Sequence, residues 1–131
     1  MRVLLAIPDT DLRLSIELLL SEEPGVVIAG VASETEGLLA LIASTKPSIV
    51  ILDWDLPGWR AADRLSQTSQ IPVQPRFIVL GSRLAAREEA RQAGMAAFVV
   101  KGEPPELLFA AYRQTKMEIR ISTGHSITQE E

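Results

Sequence analysis

The chain predicts an α/β fold: a single doubly wound, five-stranded parallel sheet with helices on both faces. Three observations point there. Short aliphatic runs recur five times, at residues 2–7, 26–31, 49–52, 76–80 and 96–100. Each is apolar throughout rather than alternating, as expected of strands covered on both sides. Between them lie segments with apolar residues at helical spacing, an order that right-handed crossovers turn into a parallel sheet. At 131 residues, 47% hydrophobic and 23% charged, the chain has the size and composition of one globular domain with an aliphatic core.

The first strand leads into a helix whose apolar positions Leu12, Ile16, Leu19 and Leu20 share a face. Asp9, Thr10 and Asp11 begin that helix, where side-chain oxygens satisfy free amides and carboxylates suit the dipole. Pro24-Gly25 ends it before the second strand. Ser33 and Glu36, three residues apart, predict a capping box for a second helix that buries Leu38, Leu41 and Ile42 and stops at Lys46-Pro47. The third strand runs into Asp53, and Leu56-Pro57-Gly58 then turns the chain. Residues 60–67 predict a short helix, followed by a polar, proline-bearing loop over 68–75. Gly81-Ser82 breaks the fourth strand, and an Ala-rich helix over 84–93 ends at Gly94. The fifth strand ends in Lys101-Gly102. Pro104-Pro105 opens a last helix running to about Thr115. Residues 116–131 are polar and weakly patterned and read as a frayed helix end or flexible terminus, beyond a domain spanning residues 1–115.

Thirteen basic against seventeen acidic side chains give a net charge of −4, which opposes the broad positive field that direct nucleic-acid binding requires. With no cysteine there is no disulfide, thiol nucleophile or thiolate metal site. The apolar stretches are shorter than a bilayer span and the first strand starts without signal-peptide flanks, so a cytoplasmic location away from membranes is expected. The single histidine, His125, lies in the polar tail and supports neither a histidine relay nor a histidine metal site.

In the strand order 2-1-3-4-5, the carboxyl ends of strands one, three, four and five surround one crevice. Onto that edge fall Ile7-Pro8-Asp9, Asp53, Gly81-Ser82 and Lys101. A carboxylate that ends a buried strand needs a reason, and Lys101, at another strand end, is its candidate partner. Trp54 and Trp59 flank the turn as candidate partner contacts or as covers of the crevice. Arg83, just before the predicted 84–93 helix, and Arg87 and Arg91 within it recur every four residues and are expected to share a charged face.

These pieces resemble the receiver domain of bacterial two-component response regulators over residues 1–114. The likeness is strongest to regulators whose receiver precedes a helix-turn-helix domain. It is carried by MRVLLA, EEPGVVIAGVAS, KPSIVILDWDLPG, RFIVLGS and EEARQAGMAAFVVKGEPPELLFAAYR, in the family's order and spacing. The resemblance implies a flavodoxin-like sheet, a phosphoacceptor position at Asp53, a phosphate-contacting lysine at Lys101 and an aromatic switch at Phe98. The family ends its first strand with two acidic residues that hold Mg²⁺, and Ile7 and Pro8 stand there. Gly81 takes the place of its phosphate-sensing hydroxyl residue, with Ser82 one position on. Magnesium needs near-octahedral oxygen ligation, so binding through Asp53 is expected to be weak. Asp9, Asp11 and Asp55 are candidate surrogate carboxylates, with helix capping as the alternative for Asp9 and Asp11 and an ordinary turn aspartate as the alternative for Asp55. From the position of Asp55 the family contributes a backbone carbonyl. Phosphoryl transfer rests on positioning and on neutralising oxygen charge, work normally shared between Mg²⁺ and a cation such as lysine.

The reading is therefore a pseudo-receiver that acts in signal transduction by protein–protein interaction rather than as an enzyme. Its alternative is a conventional phosphorelay receiver, phosphorylated on Asp53 by a histidine kinase. Asp53-x-Asp55 after an apolar strand also resembles the nucleophile motif of haloacid-dehalogenase-type phosphatases, although those enzymes carry it on their first strand. Pro8-Asp9-Thr10-Asp11 lacks the glycine- and hydroxyl-rich loop that a flavin phosphate needs. Expected partners are a histidine kinase or an output domain, and a second copy through the face made by the 84–93 helix, the fifth strand and the last helix.

Overall fold

A computed structural model describes residues 1–59 and 74–130, with side chains described as far as Ile121. Its elements are β1 (Arg2–Ala6), α1 (Thr10–Ser21), β2 (Val27–Ala32), α2 (Thr35–Thr45) and β3 (Ile49–Asp53). Then follow β4 (Arg76–Gly81), α3 (Ala86–Gln92), β5 (Ala97–Val100) and α4 (Pro105–Glu130). The sheet order is β2-β1-β3-β4-β5 with every pairing parallel, the predicted flavodoxin-like arrangement. The short helix expected over residues 60–67 lies outside the described residues.

Two cores, one on each face, explain why the strands read as unbroken apolar runs. Val3, Leu5, Ile7, Ile49, Ile51, Ile78 and Leu80 face α1 and α4, packing with Ile16, Leu20, Leu108 and Tyr112. Leu4, Ala6, Val50, Leu52, Phe77 and Val79 face the other way, onto Leu38 and Ile42 of α2 and Ala90 of α3. All of β3 is buried, and its last residue is Asp53. The residue that ends the central strand thus leaves the core at the carboxyl edge of the sheet.

Several local expectations change. α2 is capped by Glu34 rather than by a Ser33/Glu36 box. In extended backbone, the Glu34 carboxylate accepts from Glu36 N at 2.8 Å and Gly37 N at 2.6 Å, so its two oxygens satisfy two free amides. Gly37 makes room for this, since a β-carbon there would fall 2.6 Å from Glu34 Oε1. α3 begins at Ala86, later than predicted, so Arg83 stands clear of the helix and only Arg87 and Arg91 share its face. Trp59 turns inward. Gly58 takes φ +83°, Thr35 Oγ1 donates to Pro57 O at 2.7 Å, and the indole packs against Phe77 with centroids 6.1 Å apart. α4 continues past the expected end near Thr115 as far as Glu130.

Candidate functional site

The register of the sheet brings the strand ends together. Asp53 pairs with Leu80 of β4 and Val100 of β5 pairs with Gly81, so Asp53 and Lys101 flank the end of β4 from opposite sides. Backbone bonds fix both: Trp54 N donates to Leu80 O and Lys101 N to Gly81 O, each at 2.8 Å. Lys101 reaches across the end of β4 and sets its Nζ 2.7 Å from Asp53 Oδ2.

Asp53 is 2% exposed, and a carboxylate so placed requires compensation. It has two partners of different kinds. Oδ2 meets the Lys101 ammonium, while Oδ1 accepts from Asp55 N at 2.9 Å, a bond that also closes the turn. Asp55 joins from the solvent side, with Oδ2 3.9 Å from Lys101 Nζ and accepting from Ser82 Oγ at 3.2 Å. Asp53, Asp55, Ser82 and Lys101 therefore form one connected polar group in which a single ammonium faces two carboxylates. Sequence reasoning had Asp53 and Lys101 and named the Asp55 carboxylate as a candidate surrogate, but did not link it to Ser82. The two-residue spacing from Asp53 was the available signal.

The end of β1 brings no carboxylate to this group. Ile7 is fully buried, continues the alternation of Val3 and Leu5, and packs in the core beneath α1. Pro8 follows it, half-buried. Asp9 caps α1 by accepting from Leu12 N at 3.0 Å, and Asp11 lies exposed in that helix's first turn. Among the described residues no group of three or more His, Cys, Asp or Glu side chains is placed to hold a metal ion. The donor set consequently does not fit Mg²⁺: one buried carboxylate, already against an ammonium, and one exposed carboxylate fall short of the oxygen shell that ion requires.

Next to this group, Gly81 and Phe98 interlock. The Phe98 ring lies over Gly81 so closely that a β-carbon there would fall 2.5 Å from Cζ. Arg87 stacks on the ring's other surroundings, its guanidinium carbon 5.8 Å from the centroid. Phe98 is half-buried against the α2/α3-side core and also lines a surface groove with Arg87, Ala90, Arg91 and Met95. On the rim of that groove, Arg91 pairs with Glu88 one turn earlier, which holds the Glu88 carboxyl below its ordinary range.

Comparison with known proteins agrees with the fold that carries these residues. The chain is 27% identical over 116 residues to the nitrate/nitrite response regulator protein NarL of Escherichia coli K12, covering 85% of this chain and 53% of NarL. It is 28% identical over 101 residues to the probable transcriptional regulatory protein SgaR of Hyphomicrobium methylovorum, covering 76% of this chain and 48% of SgaR. The chain thus spans about half the length of the curated relatives it matches. Among solved structures, a DNA-binding response regulator of the LuxR family from Staphylococcus aureus superimposes with a TM-score of 0.76 at 21% identity, covering 87% of this chain and 97% of that one. No described helix is long and apolar enough to cross a membrane. The response regulator receiver domain model matches residues 3–113, from the start of β1 into the first part of α4, and the chain is a member of that family.

Proposed function

We propose that this receiver domain is a pseudo-receiver: it works in two-component signalling through protein–protein contacts, without metal-assisted phosphorylation of Asp53. One observation carries the reading. The Lys101 ammonium sits 2.7 Å from Asp53 Oδ2 while the end of β1 supplies Ile7 and Pro8, so the acceptor's charge is met from within the chain and the divalent ion has too few ligands. In this reading the domain is not an enzyme. Its partner is a protein, a histidine kinase or an output domain, in the cytoplasm. The curated relatives are about twice as long, and the Staphylococcus structure is described as DNA-binding. With a net charge of −4, this domain leaves DNA contact to another one.

The test is direct. Incubated with Mg²⁺ and acetyl phosphate and examined by intact mass, the protein is expected to show little or no added phosphoryl group. Substantial modification that disappears in Asp53→Asn would overturn the proposal and establish the conventional phosphorelay reading. That second reading has its own support, because the acceptor position and the lysine are both present and in contact.

A further inference from the structure

Between α1 and the loop that joins β5 to α4 lies a cavity of about 190 Å³. Its walls are apolar: Leu12, Ile16 and Leu19 of α1, Val99 of β5 and Leu108 of α4. Ile16, Val99 and Leu108 are buried and the two leucines half-buried, so the cavity opens between packed elements rather than on a flat surface. A space of about 150 Å³ lined by aliphatic and aromatic side chains holds benzene, and this one has room for a ring with a short substituent.

The polar groups around the cavity define the chemistry of an occupant. Its lip is Glu103-Pro104-Pro105. Neither proline has an N–H, and the Glu103 N–H already donates to Val100 O at 3.3 Å, so the lip gives an extended peptide no backbone donor to pair with. On the α1 side, Ser15 donates its hydroxyl proton to Asp11 O at 3.0 Å. Among the described residues, that leaves Lys101 as the side-chain donor on the cavity. Its ammonium carries three N–H bonds. Asp53 Oδ2 meets one at 2.7 Å, while Asp55 Oδ2, at 3.9 Å, stands beyond hydrogen-bond reach, so the ammonium can serve a further acceptor. The occupant's charge follows from the same groups. One ammonium already faces two carboxylates, with Glu103 a third at the lip, so another anion meets excess negative charge and a cation meets Lys101.

We propose that this cavity binds a small, uncharged, mostly apolar molecule, about the size of a substituted aromatic ring, that presents one hydrogen-bond acceptor to Lys101. The same ammonium then joins the occupant to Asp53, giving the group of Asp53, Asp55 and Ser82 a chemical input that needs neither metal nor phosphoryl transfer. The binding site itself stands whether or not Asp53 is phosphorylated.

Acetophenone and ethylbenzene test it, because they differ chiefly in the carbonyl acceptor. In amide proton–nitrogen correlation spectra of the full chain, acetophenone is expected to give saturable shifts centred on Leu12, Ile16, Val99 and Leu108. Its dissociation constant should be roughly tenfold lower than that of ethylbenzene, the difference that a hydrogen bond from a charged donor supplies. Benzoate should bind more weakly than acetophenone. Lys101→Met is expected to bring the acetophenone and ethylbenzene constants together while leaving the ethylbenzene shifts in place. Leu12→Phe fills the cavity from its half-buried edge and should abolish the shifts of both compounds with circular dichroism unchanged. Ser15→Phe, at the exposed rim, blocks the same space without touching the core and should do likewise. The proposal is overturned by an absence of saturable shifts up to the solubility limit, by shifts centred elsewhere, or by benzoate binding more tightly than acetophenone. A preference for acetophenone that survives Lys101→Met, or Phe variants that bind like the parent, would overturn it as well.

Discussion

The ring of Phe98 stands in the space that a side chain on residue 81 would need: a β-carbon added to Gly81 would fall 2.5 Å from Phe98 Cζ and 2.6 Å from Cε2. Since aromatic rings do not compress, the two positions are mutually exclusive for larger side chains. The missing hydroxyl at the end of β4 and the inward ring on β5 are one feature, not two.

Gly81→Ala is accordingly expected to destabilise the domain by about 1–3 kcal/mol, the range for forcing extra carbon into packed structure. Phe98→Leu in the same chain should relieve much of that, leaving a combined effect smaller than the sum of the two. Urea unfolding of the four proteins measures the coupling. An unchanged midpoint for Gly81→Ala would mean the ring swings out freely.

Much of this was legible from the sequence, and the rest was hidden for identifiable reasons. The sheet was readable because a strand covered on both faces leaves no polar residue until it ends, so Asp53 and Lys101 marked two strand ends by themselves. What escaped depends on contacts distant in sequence. Nothing near Phe98 tells that its ring covers Gly81, seventeen positions earlier. Trp59 looked like a surface residue beside a turn until the bond between Thr35 and Pro57 drew that turn against α2. The Glu34 cap lost out to a commoner pattern, although its longer side chain reaches the same amides. The tail beyond Thr115 looked unpatterned because α4 carries exposed Leu107, Met117 and Ile121 opposite its buried side, and two opposed stripes cancel in any one-sided measure of amphipathicity.

The Asp53–Lys101 contact sets a second expectation. Lys101→Met leaves a nearly buried carboxylate with an amide bond but no counter-charge, and should destabilise the protein by about 1–3 kcal/mol, the lysine's own partial exposure keeping the loss below that of a fully buried pair. Asp53→Asn/Lys101→Met removes both charges and should recover part of the loss. Guanidinium unfolding resolves the difference, and a double variant less stable than Lys101→Met alone would show that the carboxylate is held chiefly by other groups.

Tyr112 gives a pH dependence. Its hydroxyl is buried without a hydrogen-bond partner among the described residues, and burial, with the negative charge of Glu23, pushes its pKa above the usual phenol range, partly offset by Arg120. The folded state therefore keeps its proton where the unfolded chain has released it. Above a pH of about 10 the unfolded chain binds fewer protons, and stability falls as pH rises until the folded pKa is passed. Tyr112→Phe is expected to match or exceed the parent at neutral pH, by up to about 1 kcal/mol, and to lose less stability at alkaline pH. Thermal melts from pH 8 to 11 would settle it, parallel curves for the two proteins counting against the assignment.

The strictest trial of the metal argument is to restore the acidic pair. Ile7→Asp/Pro8→Asp puts a carboxylate where a fully buried isoleucine packs beneath α1, so without metal the variant should lose about 3 kcal/mol or more. If that carboxylate turns toward Asp53, the three oxygen donors begin to resemble a divalent site, and binding that occurs only in the folded state restores stability with metal concentration. The expected result is a variant whose melting temperature is low in chelator and rises with added Mg²⁺, accompanied by a change in Trp54 fluorescence, while the parent responds to neither. Pro8→Asp alone, which leaves the core intact, should show the fluorescence response more weakly and without the large loss of stability. A double variant blind to Mg²⁺ would mean that the end of β1 does not face Asp53. A parent stabilised by millimolar Mg²⁺ would mean that Lys101 yields its place to the ion, and the pseudo-receiver reading would fall with it.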